Sequence, residues 1–392
     1  MKYIDDVVIA NKKVLLRVDF NVSLLSNRKI ADDQRIRQSL STIKFLLQKK
    51  NRLILVSHFG QPKKRDTSLS LRPVAKRLQE YLPETKVILV SDFYSEPDVL
   101  KNQTENEILL LENIRFYEGE KKNDPVFAKQ LALLADIYVN DAFGVSHRTD
   151  ASIVGIPRFL PSYGGLLLKK EVETILRAIH DPKRPLVAIL GGAKISTKIH
   201  LVSKLMNLAD YVLLGGGLAI NVFAAKGYEV GKSIVEEEAI QTTKKLLSEN
   251  GKKEKKLILP SDAIVAQSGD TSISGTVKKM ENIGKNDKIL DIGPEAQAQF
   301  GQIISAARTI IWNGPVGYFE NPAFQRGTDF IYYSIAHNPN AVSIVGGGDT
   351  LAAISKKEYL DTITHISTGG GAMLTFIEQG SLPGIDALNS HT

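Results

Sequence analysis

Leu186-Val187-Ala188-Ile189-Leu190-Gly191-Gly192-Ala193-Lys194 is an apolar run of five residues that leads straight into two glycines. A short run without polar alternation is buried on both faces, as in a parallel strand covered by helices, and the glycines mark the turn that leaves it. The same arrangement returns down the chain. Gly215-Gly216-Gly217 follows the run 211–214, Asn313-Gly314-Pro315 follows 309–312, Gly346-Gly347-Gly348-Asp349-Thr350 follows 342–345, and Gly369-Gly370-Gly371 follows 363–367. A sixth run lies at 257–259, and helical stretches separate most of these runs.

The rhythm also holds toward the N-terminus, where strands are predicted at 14–18, 53–56, 87–90, 108–111 and 137–139. Helical patterns at 35–50, 71–82 and 125–135 lie between them, the last with Asp124 as N-cap and Pro125 at its first position. Two such series predict the α/β class, with two doubly wound parallel-sheet (Rossmann-like) domains. An amphipathic stretch at 166–180 ends in Asp181-Pro182-Lys183-Arg184-Pro185, which stops a helix. The expected organisation is an N-terminal domain over 1–165, a connecting helix and hinge over 166–184, and a C-terminal domain over 185–377. The tail, 378–392, is too short for a further layer, and no period of 20–50 residues recurs.

Composition narrows the chemistry. The 392 residues include no cysteine, which excludes disulfides, thiolate metal sites and a cysteine nucleophile. The first ten residues are acidic rather than basic, and the longest apolar segment, 211–225, is short for a bilayer that needs about 20 residues. A cytoplasmic protein without a membrane partner is expected. The net charge of +7 is spread along the chain. Its densest cluster, Lys252-Lys253-Glu254-Lys255-Lys256, reads as a solvated turn, and no nucleic-acid motif accompanies it, so no nucleic-acid partner is expected. A modest positive balance suits small, highly anionic substrates.

In open α/β sheets ligands sit at the carboxyl ends of strands, and a glycine turn entering a helix brings backbone N–H groups to a phosphate. The glycine clusters of the second half therefore point to polyphosphate, although no G-x-G-x-x-G follows a strand, and Gly227–Ser233 is one residue short of a Walker loop. Lys194 and Lys198 are expected at i, i+4 at the start of the helix after Gly191-Gly192, two cations that need an anion between them. A solvated face is the alternative. Asp349 suits a Mg²⁺ ion, or equally the N-cap of the helix from Thr350. The first half instead gathers Arg17, Arg35, Arg115 and Arg148 beside strand ends, as a small phosphorylated acid would require. His58 and His147, taken singly, read equally well as structural or ligand-facing.

Together these residues resemble the phosphoglycerate kinase family: RVDFNV at 17–22, DDQRIR at 32–37, SHFGQP at 57–62, LLENIRF at 110–116, NDAFGVSHR at 140–148, GGAKISTK at 191–198, WNGPVGYFE at 312–320, GGGDT at 346–350 and STGGGA at 367–372. LPSDAIVA at 259–266, DIGPEA at 291–296 and LPGIDAL at 382–388 extend the likeness nearly end to end. The resemblance implies two α/β lobes joined by a helix, a tail returning to the first lobe, and a monomer acting in glycolysis. Its implied reaction moves the acyl phosphate of 1,3-bisphosphoglycerate to Mg·ADP, giving 3-phosphoglycerate and ATP, by in-line transfer when the lobes close.

Carried onto this sequence, it implies that Asp19, Phe20, Asn21, Arg35, His58, Gly60, Arg115 and Arg148 hold the triose, with Arg17 and His147 lining the same basic patch. Gly192, Lys194, Lys198, Gly216, Asn313, Pro315, Glu320, Gly347, Gly348, Asp349 and Thr350 would meet the nucleotide, with the metal on Asp349. Arg35, Lys194, Lys198, Gly370 and Gly371 would act on the transferring phosphoryl group.

Three departures stand out. Gln61 replaces an arginine usual in the family, a loss that Lys63, Lys64 or Arg65 would have to offset; Asp150 places a carboxylate where a neutral residue or histidine is common; Ser23 replaces a proline, which should loosen its turn. A non-catalytic binding protein and a dehydrogenase are the competing readings. The first is disfavoured by the intact lysines and glycine turns, the second by the missing dinucleotide fingerprint.

Overall fold

The computed structural model describes residues 1–250, 256–267, 275–356 and 358–389, with the side chains of Asn250 and Asp349 outside that description. Most of the lysine cluster at 252–256 therefore lies outside the described residues. Contacts divide the chain into two units, Met1–Glu173 with Gln379–Thr392, and Thr174–Glu378, so that the division falls inside the helix Leu166–His180.

The first unit is built on a six-stranded sheet. In space the strands run Lys86–Val90, Glu107–Leu111, Arg52–Val56, Lys13–Arg17, Ile137–Asn140 and Ser162–Gly164, every pairing parallel. The uninterrupted apolar runs follow from burial on both faces: Leu15 and Leu16 point to opposite sides, and both are fully buried. The edge strand Lys86–Val90 is only partly covered and begins with an exposed lysine, which discourages edge pairing. Asp124 caps the helix Pro125–Ala132, accepting from the backbone of Val126 and Phe127, as its sequence predicts. The short C-terminal helix Pro383–Asn389 is tied to this unit by Gly384 N–H donating to the Ser146 carbonyl at 2.8 Å.

The second unit has its own six-stranded parallel sheet, ordered His365–Ser367, Val342–Gly346, Thr309–Asn313, Leu186–Leu190, Tyr211–Leu214 and Leu257–Ile258. Leu186–Leu190 is buried at all five positions, and Trp312 and Phe300 fill the core on one side. Beside it lies a three-stranded antiparallel sheet, Thr276–Lys279, Asp262–Gln267 and Asp287–Ile292, which the sequence reading does not anticipate. Its strands are short, charged and mixed in burial, and a register shift between Ile264 and Val265 breaks their periodicity. No helix among the described residues is long and apolar enough to cross a membrane.

Candidate active site

In the first unit, four strand ends deliver the arginine cluster. Asp19, Phe20 and Asn21 follow Lys13–Arg17, and their loop is locked from below: Phe20 N–H donates to Ser57 Oγ at 2.9 Å, and Asn21 Oδ1 accepts from Gly60 N–H at 2.9 Å. Gly60 has φ +62°, and a Cβ there would lie 2.8 Å from Leu69 Cδ2, so this turn needs glycine. Arg35, a quarter exposed at 27 %, donates to the Asn21 carbonyl at 2.7 Å and pairs with Asp19 at 3.3 Å. Arg115 donates to the Gly60 carbonyl at 2.7 Å. Arg148 and His147 are half-buried on the turn after Ile137–Asn140.

Arg17 differs from the sequence expectation. Its side chain is completely buried, with Nε donating to Ser152 Oγ at 2.8 Å, Nη1 donating to the Val18 carbonyl, and Nη2 lying 3.4 Å from His58 Nδ1. It lies beneath the cluster and not on its surface, because its strand end is roofed by the turn at 151–155. An arginine N–H can only donate, so the Arg17 contact favours the tautomer in which His58 Nδ1 accepts and Nε2 carries the proton, although Asp19 Oδ1 lies 3.8 Å from the same nitrogen. Burial first, then Arg17, Arg115, Arg35 and Arg148, hold the His58 pKa well below the usual histidine range, and the imidazole is neutral near pH 7. His147 is lowered too, by burial and Arg148, against the pull of Asp150 and Asp19.

The counter-charge beneath the cluster was not foreseen. Glu120 is fully buried, and its two oxygens accept from Ser152 Oγ at 2.6 Å and Ser152 N–H at 2.9 Å. Ser152 thus links the carboxylate to Arg17 Nε. Burial raises the Glu120 pKa although Arg17 opposes it. Ser57 and Asn113 position the loops, with Asn113 Oδ1 accepting from Phe59 N–H at 3.0 Å and Arg115 N–H at 3.2 Å.

Of the three departures, Gln61 is met by a residue the sequence reading did not consider: Lys121 Nζ donates to Gln61 Oε1 at 3.2 Å. Arg65 is engaged elsewhere, donating to the Ser91 carbonyl and lying over the Phe116 ring. Ser23 opens a small hairpin closed by Ala31 N–H donating to its carbonyl at 2.8 Å. Asp150 is buried, 3.7 Å from Arg115.

The second unit offers backbone where the first offers side chains. The helix after Gly191-Gly192 begins only at Ile199, so Lys194 and Lys198 do not share a helix face, which corrects the i, i+4 expectation. Gly192, at φ +111°, sends the chain into turns before the helix, with Lys198 N–H donating to the Ile195 carbonyl at 2.9 Å. Lys194 is exposed, while Lys198 Nζ turns back to the Gly191 carbonyl at 2.8 Å and Asn313 Oδ1 at 3.1 Å. Asn313 Nδ2 donates to the Gly346 carbonyl at 3.0 Å, and Thr350 Oγ1 accepts from Gly314 N–H at 2.8 Å and donates to that same carbonyl at 2.6 Å. These bonds gather three strand ends into one rigid rim.

Gly347 and Gly370 pack backbone to backbone on this rim: a Cβ on Gly370 would lie 2.7 Å from Gly347 Cα. Gly348 and Gly371, the next residues of each turn, have nothing within 4 Å of a Cβ position and face open space at the starts of the helices Gly348–Ala352 and Gly370–Gln379. Glu320 is exposed after Thr309–Asn313, and Pro315 is half-buried. Among the described residues no group of three or more His, Asp or Glu could hold a metal, and the side chain of Asp349 is not described.

Beside this rim lies a small apolar cleft, lined by Gly216, Ala219, Ile220, Phe223, Pro260, Ala263, Met280, Ile289, Asp291, Ile292 and Val316. Of these the sequence reading found only Gly216, because the pocket draws on the unforeseen antiparallel strands. Asp291 Oδ1 accepts from Ile292 N–H at 2.9 Å and Oδ2 from Gly327 N–H at 2.8 Å, and burial pushes its pKa up to about 7.

Two parallel α/β sheets, one ending in an arginine cluster and the other in glycine turns beside an apolar pocket, define a two-unit enzyme of phosphoryl transfer. The phosphoglycerate kinase family model matches residues 4–380. Phosphoglycerate kinase of Dictyoglomus turgidum is 48% identical over 378 residues, covering 96% of this chain and 95% of that one, and the enzyme of Pelotomaculum thermopropionicum is 44% identical over 390 residues, covering 99% and 98%. The structure of phosphoglycerate kinase from Coxiella burnetii superposes with a TM-score of 0.86 at 38% identity, covering 99% of this chain and 98% of that one. The chain belongs to the phosphoglycerate kinase family. That family carries out the reversible transfer of the acyl phosphate of 1,3-bisphosphoglycerate to ADP, giving 3-phosphoglycerate and ATP in glycolysis.

Proposed function

We propose that the two units divide the reaction between them, the first holding the triose and the second the nucleotide. The observation that carries this reading is the confinement of the Arg35–Asp19–Asn21–Gly60–Arg115 network to the first unit. Arg35, Arg115, Arg148 and His147 meet the triose phosphate and carboxylate, and neutral His58 donates through Nε2. Asp19 and Asn21 keep Arg35 aimed, and Arg17 supports His58 from beneath. Phe20 and Gly60 shape the floor.

In the second unit the apolar pocket takes the flat nucleotide base against Gly216, and exposed Glu320 takes the ribose hydroxyls. Gly192, Pro315, Asn313, Gly347, Gly348 and Thr350 build the rim on which the phosphates lie. Lys194, Lys198 and the N–H groups of Gly370 and Gly371 face the charge that develops on the transferring phosphoryl group. The carboxylate oxygen of 3-phosphoglycerate is already nucleophilic, so no general base is required. Catalysis is alignment of two anions with their charge neutralised, once the units close on their ligands and exclude water.

Mg²⁺ would be held by the Asp349 carboxylate and the nucleotide phosphate oxygens, since the ion takes one or two carboxylates plus phosphate oxygens. When bound, the ion neutralises charge on the nucleotide phosphates. A cytoplasmic monomer completes the reading.

Turnover of 3-phosphoglycerate with Mg·ATP, coupled to NADH oxidation, tests it. Lys198→Ala is expected to lower kcat by about 100–1,000-fold, as loss of a preorganised charge does, with the triose KM changed little. Full activity in that variant overturns the assignment of Lys198.

A further inference from the structure

Arg115 and Asp150 form an unusual pair. The Arg115 side chain is only 1 % exposed, and that of Asp150 11 %. Arg115 Nη2 stands 3.7 Å from Asp150 Oδ2, too far for a hydrogen bond, and neither atom has a hydrogen-bond partner. Arg115 Nε is also buried without a partner, and so are Arg148 Nε and His147 Nδ1 close by in sequence. A buried pair normally offsets its desolvation through hydrogen bonds, and this one makes none across the gap.

Asp150 does not orient the arginine. That task falls to the Gly60 carbonyl, which accepts from Nη1 at 2.7 Å, and to Asn113, which fixes the Arg115 backbone. Nor can the carboxylate withdraw far, because the Asp150 carbonyl accepts from Ile153 and Val154 N–H at 2.9 and 3.0 Å and anchors the turn that follows. Its influence on the cluster is therefore electrostatic: it counters the pull of burial and Arg148 on the Arg115 guanidinium, and it favours the charged form of His147.

We propose that Asp150 is an internal counter-ion that competes with the triose anion for Arg115, so that it sets a weaker triose affinity than the arginine cluster alone would give. An arriving phosphate or carboxylate must either take Arg115 from Asp150 or sit beside a second negative charge. Both lower affinity, and neither touches the chemical step. The inference rests on reading the arginine cluster as the triose site.

The test is the steady-state KM for 3-phosphoglycerate and for ATP, with kcat, in Asp150→Asn and in Asp150→His at pH 8, with folding checked by thermal melting. Arg35→Ala is measured in parallel. The expected result is a triose KM lowered about three- to thirtyfold in the neutral variants, the effect of removing one like charge at a few ångströms, with ATP KM and kcat within about twofold of wild type. A role confined to folding would move the melting temperature without splitting the two KM values. An unchanged or raised triose KM overturns the inference, and so does failure of both neutral variants to fold, which would make the charge a requirement of the fold. If Arg35→Ala also leaves the triose KM unchanged, it is the site reading that falls; if Arg35→Ala raises it and Asp150→Asn does not lower it, only the counter-ion role does.

Discussion

The first unit prepares for an anion with side chains, and the second does so mostly with backbone. In the first, charge is concentrated and must be held in place: Arg17 is buried against Ser152 and Glu120, Arg35 leans on Asp19, and Arg115 stands near Asp150. In the second, Asn313, Thr350 and Lys198 tie strand ends together so that glycine N–H groups stand at an open rim. A cluster of guanidinium groups needs buried counter-charges and disfavours the charged form of the histidines beside it, His58 and His147. A rim built mostly of backbone needs less counter-charge, and it needs space. The first design should be broken by removing charge, the second by adding volume.

The largest effect expected on stability is at Glu120. Glu120→Gln leaves Arg17 as a buried cation without its counter-charge, which costs about 3–5 kcal/mol. The melting temperature should fall by about 6–20 °C at roughly 2–4 °C per kcal/mol. A melt within a degree of wild type would show that Ser152, the Val18 carbonyl and His58 satisfy Arg17 without the charge of Glu120.

Volume is the corresponding lever in the second unit. Gly370→Ala places a Cβ 2.7 Å from Gly347 Cα and should cost about 1–3 kcal/mol, while Gly371→Ala meets nothing within 4 Å and should melt as wild type. Equal melting of the two variants would mean that the rim is not packed as described.

A smaller effect is read by pH, and both units contribute to it. The Asp291 pKa is raised to about 7 by burial, with only backbone donors around it. A raised carboxyl pKa contributes stability that is fully present below the unfolded value near 3.9 and is lost as pH rises through the folded one. Wild type should therefore lose stability between about pH 4 and 7, and Asp291→Asn should flatten that slope. Asp141, also raised to about 7, contributes in the same direction from the first unit, so the slope should shrink without vanishing. An unchanged slope would contradict the burial argument.

Much of this was legible in the sequence, and the failures have a common cause. Apolar runs such as 53–56 and 186–190 announce strands because both faces are buried, and glycines announce where those strands stop. Burial itself is not written in residue type. Arg17 at a strand end reads as a surface cation until the turn at 151–155 covers it, and Glu120 lies 32 residues from the Ser152 that receives it. The spacing of Lys194 and Lys198 suggests a helix, but turns occupy those residues and the helix begins only at Ile199. The apolar pocket stayed hidden because two short strands with charged residues, 262–267 and 287–292, and the bulge between them build part of its wall. Lys121 reaches Gln61 from 60 residues away, a partnership that spacing cannot reveal.

The measurement closest to the central claim is calorimetric binding of 3-phosphoglycerate and of ADP, each alone, to wild type and Arg35→Ala. If the units recognise their ligands by separate means, the triose Kd rises about 10–100-fold, the loss of one charge-assisted contact, while the ADP Kd stays within about twofold. A triose Kd that does not move, or an ADP Kd that rises with it, would contradict that division.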